Sequence, residues 1–238
     1  MFAYCTDGVA DSVTSVKKMQ ILVTGATGLI GAEVLRQSIQ DPGIHSVIAI
    51  SRGQPEVTHS KIQTIIHPDF LHYESLAEVM KQADALIWCL GISQTQVSRA
   101  QYETITYQFT EACATSCAAF NPAIRFVFVS GDGADRTEKS STLFKRIKGR
   151  AENALLHSGL QDLYIARPDA VRPRHRNKKA PLAYKLFYPF FPIVATLSPN
   201  SVIWSDVLAR ALLHLAKEGH ALRTLENLDL QKLGKTPA

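Results

Sequence analysis

Apolar residues in this chain fall into short continuous runs that alternate with longer stretches in which they recur every three or four positions. The continuous runs predict strands buried on both faces, because a strand covered on one side only would alternate with polar residues. They are expected from Met19 through Val23, then at Ser46–Ile50, Lys61–Ile66, Ala85–Leu90, Ile124–Ser130 and Asp162–Ala166. The periodic stretches predict helices at Leu29–Gln40, Ser75–Gln82, Val97–Phe120, Ser141–Ser158 and Ser205–Lys217. Asp41-Pro42-Gly43 and Asn121-Pro122 are strong stops for the first and third of these helices. Ser75 with Glu78 three residues on has the form of a capping box. Only about ten residues separate the second and third strands, too few for a crossover helix, so that connection is read as an abbreviated turn. Strands alternating with helices predict an α/β fold, a single doubly wound parallel sheet. No internal repeat, heptad array or apolar run long enough for a bilayer interrupts it.

One strand-to-helix junction differs from the rest. Ile21-Leu22-Val23 runs into Thr24-Gly25-Ala26-Thr27-Gly28-Leu29-Ile30-Gly31, with three glycines spaced G-x-x-G-x-x-G. Gly25 can adopt the turn, Gly28 lets the main chain approach a pyrophosphate, and Gly31 lets the helix pack closely on the strand. Unsatisfied N–H groups at the start of the following helix, with its dipole, then face phosphate. The flanking strand and helix patterns supply the context that three glycines alone lack, so a dinucleotide cofactor is expected over Gly25, Thr27, Gly28, Leu29, Ile30 and Gly31.

Three later strand ends fit such a ligand. The second strand ends at Ser51-Arg52, where an acidic residue would take the adenosine ribose hydroxyls and an arginine can pair with a 2′-phosphate. Arg52 therefore favours NADP, with NAD as the other candidate. Asp69, after the third strand, can reach an adenine amino group or simply cap its own turn. After the fourth strand, Gly91-Ile92-Ser93 is small enough for a flat ring system to lie against the backbone.

Composition narrows the class without changing this picture. The 238 residues suit one α/β domain, and 46% hydrophobic with 20% charged residues is ordinary for a globular protein. The net charge of +5 is concentrated in Arg136–Arg150 and Arg172–Lys179, which suit phosphate, an anionic surface or a solvated face. Cys5, Cys89, Cys113 and Cys117 have no metal-ligand spacing and read as buried thiols, which favours a reducing, cytoplasmic location. Residues 1–18 lack the apolar core of a signal peptide, and Asp7 and Asp11 argue against a transit peptide. They are read as a disordered or loosely attached extension before a domain covering 19–238. Within that domain a segment at about 168–200, basic and then aromatic through Tyr184, Phe187, Tyr188, Phe190 and Phe191, is expected to form a small flap on the substrate side.

The glycine turn, Val129-Ser130-Gly131 and Lys148-Gly149-Arg150-Ala151-Glu152 together resemble the atypical short-chain dehydrogenase/reductase superfamily. Within it, the chain is most similar to the Tat-interacting-protein-like and epimerase-like NAD(P)-binding Rossmann-fold branch. The resemblance spans nearly all of Met19 to about Leu215, including Ala166-Arg167-Pro168. It implies a serine that hydrogen-bonds the substrate oxygen, a tyrosine that gives or takes the proton, and a lysine that binds the ribose and lowers the tyrosine pKa. By position these are Ser130, Phe144 and Lys148, so the usual acid is replaced by a phenyl ring. Lys145 would instead place Ser141 four residues upstream; the Lys-x-x-x-Glu run ending at Glu152 and the helix phase favour Lys148.

Other chemistries fit less well. Ser130 lacks the preceding glycine of a nucleophile elbow. His67 with His72 is too weak a pair for a metal site, and no stacking-platform motif supports nucleic acid as a partner. The sequence thus predicts an NADP-preferring dinucleotide-binding protein acting on a small carbonyl compound, its proton coming from water, Ser130, or a flap tyrosine such as Tyr184 or Tyr188. The alternative is a non-catalytic, cofactor-dependent regulator of a protein partner. Oligomeric state is left open.

Overall fold

The computed structural model describes residues 18–175 and 201–235. Strands β1 (Met19–Thr24), β2 (Ile44–Ser51), β3 (Ile62–Ile66), β4 (Ala85–Trp88), β5 (Arg125–Val129), β6 (Asp162–Arg167) and β9 (Thr224–Glu226) form one sheet in the order β3-β2-β1-β4-β5-β6-β9. Every adjacent pair is parallel. Short strands β7 (Ala170–Arg172) and β8 (Val202–Trp204) pair separately, also in parallel. The chain leaves β1 toward β2 and β3, then returns to place β4 on the other side of β1. This reversal opens a crevice at the carboxyl ends of β1 and β4, where such sheets bind ligands.

Helices cover both faces. Helix α1 (Leu29–Gln40), α6 (Ser205–Glu218) and α7 (Asn227–Lys235) lie on one; α2 (Ala77–Gln82), α4 (Phe109–Phe120) and α5 (Leu143–His157) lie on the other. Successive strand side chains divide between the two cores, as the two-residue strand period requires. Ile21, Val23, Ile87, Val127 and Val129 pack against α1 and α6. Leu22, Trp88, Phe126 and Phe128 face α4 and α5, where Trp88, Tyr73 and Phe70 are fully buried. The aromatic bulk sits on one side and the branched aliphatics on the other.

The doubly wound sheet is the predicted one, and α1 has the predicted limits. Residues 52–61 between β2 and β3 contain no helix, again as expected. Other details differ. Ser75 does not cap a helix: a 3-10 turn at Glu74–Leu76 precedes α2, and no side chain caps it. The capping box lies instead at Ser98 and Gln101, opening α3 (Arg99–Glu103). A π-helical turn, Thr104–Gln108, joins α3 to α4, so the predicted Val97–Phe120 helix carries one widened turn. Strand β9 and helix α7 have no counterpart in the sequence prediction. Cys89, Cys113 and Cys117 are unpaired, the latter two buried on one face of α4. Among the described residues no helix is long and apolar enough to cross a membrane. The extension at 1–17 and most of the predicted flap, 176–200, lie outside the described residues.

Candidate functional site

The glycine turn follows β1 at the carboxyl edge of the sheet. Gly25 has φ +66°, and a Cβ there would stand 2.4 Å from the Cys89 carbonyl oxygen, so only glycine lets this turn press against the exit of β4. A Cβ on Gly31 would lie 2.3 Å from the Gly25 carbonyl oxygen, which makes it the contact that brings α1 down onto the turn. Gly28 is the N-cap residue of α1, has no side-chain cap bond, and is followed by no acidic residue in the first turn. The first amides of α1, on Leu29, Ile30 and Gly31, are thus left to a ligand or water. Thr27 and Gly28 are exposed, and the buried Thr24 hydroxyl has no partner among the described residues. A glycine-lined helix start of this kind fits a pyrophosphate.

Arg52 lies one residue past β2, exposed, in a turn tightened by a hydrogen bond from the Ser51 hydroxyl to the Gly53 carbonyl. No carboxylate among the described residues pairs with it. Asp69 is exposed and committed to its own turn: it accepts from the Leu71 N–H at 3.0 Å and meets His72 Nδ1 at 2.8 Å. The Leu71 amide, then His72, hold the Asp69 carboxyl below the usual range, and Asp69 in turn raises the His72 pKa. The turn-capping role of Asp69 is therefore the one in place. A Cβ on Gly91 would meet nothing, so the backbone after β4 is open.

Helix α5 contributes the lysine. Lys148 is 8% exposed, and its ammonium donates to the Val129 carbonyl at 2.9 Å while lying 5.0 Å from the centre of the Phe128 ring. Burial pulls its pKa down to about 8, against the opposing pull of Glu152. Among the described residues, one of its three N–H donors is used. Lys145 is exposed and lies across Gly133.

Glu152, one turn beyond Lys148, is fully buried and saturated. Its Oε1 accepts from the Ser130 hydroxyl at 2.6 Å and from Arg167 Nε at 2.9 Å; its Oε2 accepts from Arg136 Nε and Arg167 Nη2, both at 2.6 Å. Four donors on two oxygens tie together the ends of β5 and β6 and the loop at 131–142. Arg136 continues to the Thr224 hydroxyl and Arg167 to Glu226, so β9 belongs to the same network. Gly149 makes room for this loop, since a Cβ there would fall 1.8 Å from the Asp135 carbonyl oxygen. Phe144 lies against Gly131.

Several of these groups escaped the sequence reading. Glu152 was visible only as a motif letter, because three partners from three segments leave no local pattern. Glu33, buried in α1, binds Arg36, Gln37 and His175, which fastens the chain after β7 onto α1. Burial pushes its carboxyl up, but those hydrogen bonds outweigh it and hold the pKa below the ordinary value. Arg172 and Arg174 lie over the Trp204 ring at 4.2 and 5.5 Å. A separate groove opens at the opposite, amino-terminal edge of the sheet, lined by Asp84, Arg125, Asp162 and Lys217 among others. Arg125 pairs with Asp162 and Lys217 with Asp41, so its charges serve the fold, far from the glycine turn. No cluster of metal-ligating side chains occurs among the described residues.

The comparisons with known proteins agree with this geometry. Residues 25–183 match a family described as NAD(P)H-binding. Leucinostatins biosynthesis cluster protein T of Purpureocillium lilacinum is 36% identical over 141 residues, 58% of this chain; the chain spans about half, 51%, of that protein's length. Protein FMP52, mitochondrial, of Debaryomyces hansenii is 26% identical over 209 residues, covering 84% of this chain and 88% of that one. In fold, the chain is similar to the Bordetella bronchiseptica enzyme WbmF in complex with NAD+, with a TM-score of 0.66 at 12% identity over 91% of this chain and 77% of that one. The cytoplasmic expectation does not stand, because the FMP52 relatives from Debaryomyces hansenii, Candida albicans and Emericella nidulans are named mitochondrial. With its parallel sheet, glycine turn and matched residues, the chain belongs to the NAD(P)H-binding family.

Proposed function

We propose that this protein binds a nicotinamide dinucleotide across the carboxyl edge of its sheet, preferring NADP(H) to NAD(H), with a small carbonyl compound as the partner in hydride exchange. The observation that carries the reading is the uncapped, glycine-lined start of α1 beside the β1–β4 crevice. Gly25, Thr27, Gly28, Leu29, Ile30 and Gly31 would hold the pyrophosphate, Arg52 the 2′-phosphate and Lys148 the ribose, with Gly91 leaving room for the ring system. Asp69 would meet adenine only by giving up its turn. When bound, such a cofactor supplies or accepts hydride, and the protein must orient the carbonyl and provide the proton. Ser130 would contact the substrate oxygen only by releasing its hydroxyl from Glu152.

The residue at the tyrosine position is Phe144, and this favours a second reading. A site that binds the cofactor but has no acid there suits a regulator that changes its hold on a protein partner with cofactor occupancy. Steady-state assay with NADPH and a panel of small carbonyl compounds separates the two. Turnover at ordinary enzyme rates supports the reductase and sinks the regulator; NADPH binding without turnover of any panel member does the reverse.

A further inference from the structure

The side-chain position that faces residue 144 is 131. A Cβ built on Gly131 would have three atoms of Phe144 as its nearest neighbours, Cζ at 2.4 Å and the two Cε atoms at 3.2 and 3.4 Å. The para carbon is nearest and the flanking carbons are almost equally distant, so this Cβ would stand off the tip of the ring. That is close to the line on which a tyrosine C–O bond would run. Ser130, one residue earlier, points elsewhere. Its hydroxyl donates to Glu152 at 2.6 Å, and because a carboxylate oxygen only accepts, the single Ser130 proton is committed there.

We propose that Gly131 and Phe144 are a matched pair. The missing side chain at 131 lets the phenyl ring advance into the space where a hydroxyl of either residue would stand, and among the described residues this stretch of wall beside Lys148 is left without a free hydroxyl donor. Phe144 and Lys148 share a face of α5, four residues apart, so this is the wall that a ligand held by Lys148 meets. The inference rests on the dinucleotide reading of the site and deepens it: the native chain holds NADPH and reduces carbonyls more slowly than a chain carrying hydroxyls at both 131 and 144. In carbonyl reduction the hydride forms the new C–H bond and the carbonyl π pair moves to oxygen. The proton that completes the O–H bond must come from the protein or water, and Gly131 with Phe144 withholds the hydroxyl that these two positions would otherwise supply.

The packing is tested without cofactor. Gly131→Ala drives a methyl group into the ring and is expected to lower the melting temperature by about 3 °C or more. In the double variant Gly131→Ala/Phe144→Ala the melting temperature should be no lower than in Phe144→Ala alone, whereas additive losses would show that the two positions do not meet. The chemistry is tested by NADPH fluorescence titration and by NADPH oxidation with 9,10-phenanthrenequinone. All variants should bind NADPH within about threefold of the native chain. F144Y alone directs its hydroxyl onto the backbone of 131 and should gain less than about threefold in rate. F144Y/G131S, in which the serine side chain holds the ring back and hydrogen-bonds the new hydroxyl, should gain at least about tenfold over both. Native turnover at the rate of the double variant, an equal gain in F144Y alone, or a double variant that binds NADPH and gains nothing overturns the proposal. Absence of NADPH binding in every protein, native included, refutes the cofactor reading instead, and the melting series then judges the pair alone.

Discussion

At the scale of single residues, the proposed preference for NADP rests on Arg52. A charge-assisted hydrogen bond is worth about 1.5–3 kcal/mol, roughly a tenfold or greater effect on affinity. Arg52→Ala should therefore weaken NADPH about tenfold or more while changing NADH by less than about threefold; equal losses would remove the basis for naming NADP. Lys148 offers a test that needs no ligand. Burial holds its pKa at about 8 against an ordinary 10.5, so between these values the unfolded chain keeps a proton that the folded chain has lost. More protons bound in the unfolded state means that stability rises with pH. Relative to Lys148→Met, which cannot titrate, the native protein should gain stability as pH climbs from about 8 to 10.5, as read by urea unfolding at each pH. A flat difference would mean that the ammonium is not buried as described.

At the scale of elements, close backbone approaches fix where the loops of the site lie. The sharpest is α5 against the 131–142 loop. Gly149→Ala would place a methyl group 1.8 Å from the Asp135 carbonyl oxygen, among backbone atoms that cannot rotate away. A loss of about 1–3 kcal/mol or more in chemical denaturation is expected. Gly53→Ala, where a Cβ meets nothing, should cost less than about 0.5 kcal/mol. Elements with strong periodicity or strong stops were legible in the sequence. The limits of α1 follow from Gly28 and Asp41-Pro42-Gly43, and the buried strands from their unbroken apolar runs. Elements that owe their existence to tertiary contacts were not. Strand β9 has three residues, and Leu225 alone reaches the core; it is held by pairing with β6 and by Arg136 and Arg167 reaching Thr224 and Glu226. Ser75 fails as a cap because the chain enters α2 through a 3-10 turn, a choice of backbone that local composition does not dictate.

For the whole molecule, the order β3-β2-β1-β4 creates the crevice, and the three glycines make its floor approachable. The glycines were readable in advance, since their spacing and the strand before them are local; the doubly wound sheet was expected, but its strand order comes from the structure. The opposite wall was not readable. Ser130, Gly131, Phe144, Lys148 and Glu152 lie within one stretch of chain, but which of them faces the ligand depends on how β5 and α5 pack. Position alone assigned the serine role to Ser130; the contacts commit its proton to Glu152 and set Gly131 opposite Phe144. The central claim remains that the crevice takes a nicotinamide dinucleotide. Calorimetric titration of the native protein with NADPH and with NADH tests it most directly. Saturable 1:1 binding of both is predicted, with NADPH the tighter by about tenfold through Arg52, and no binding of either would contradict the account.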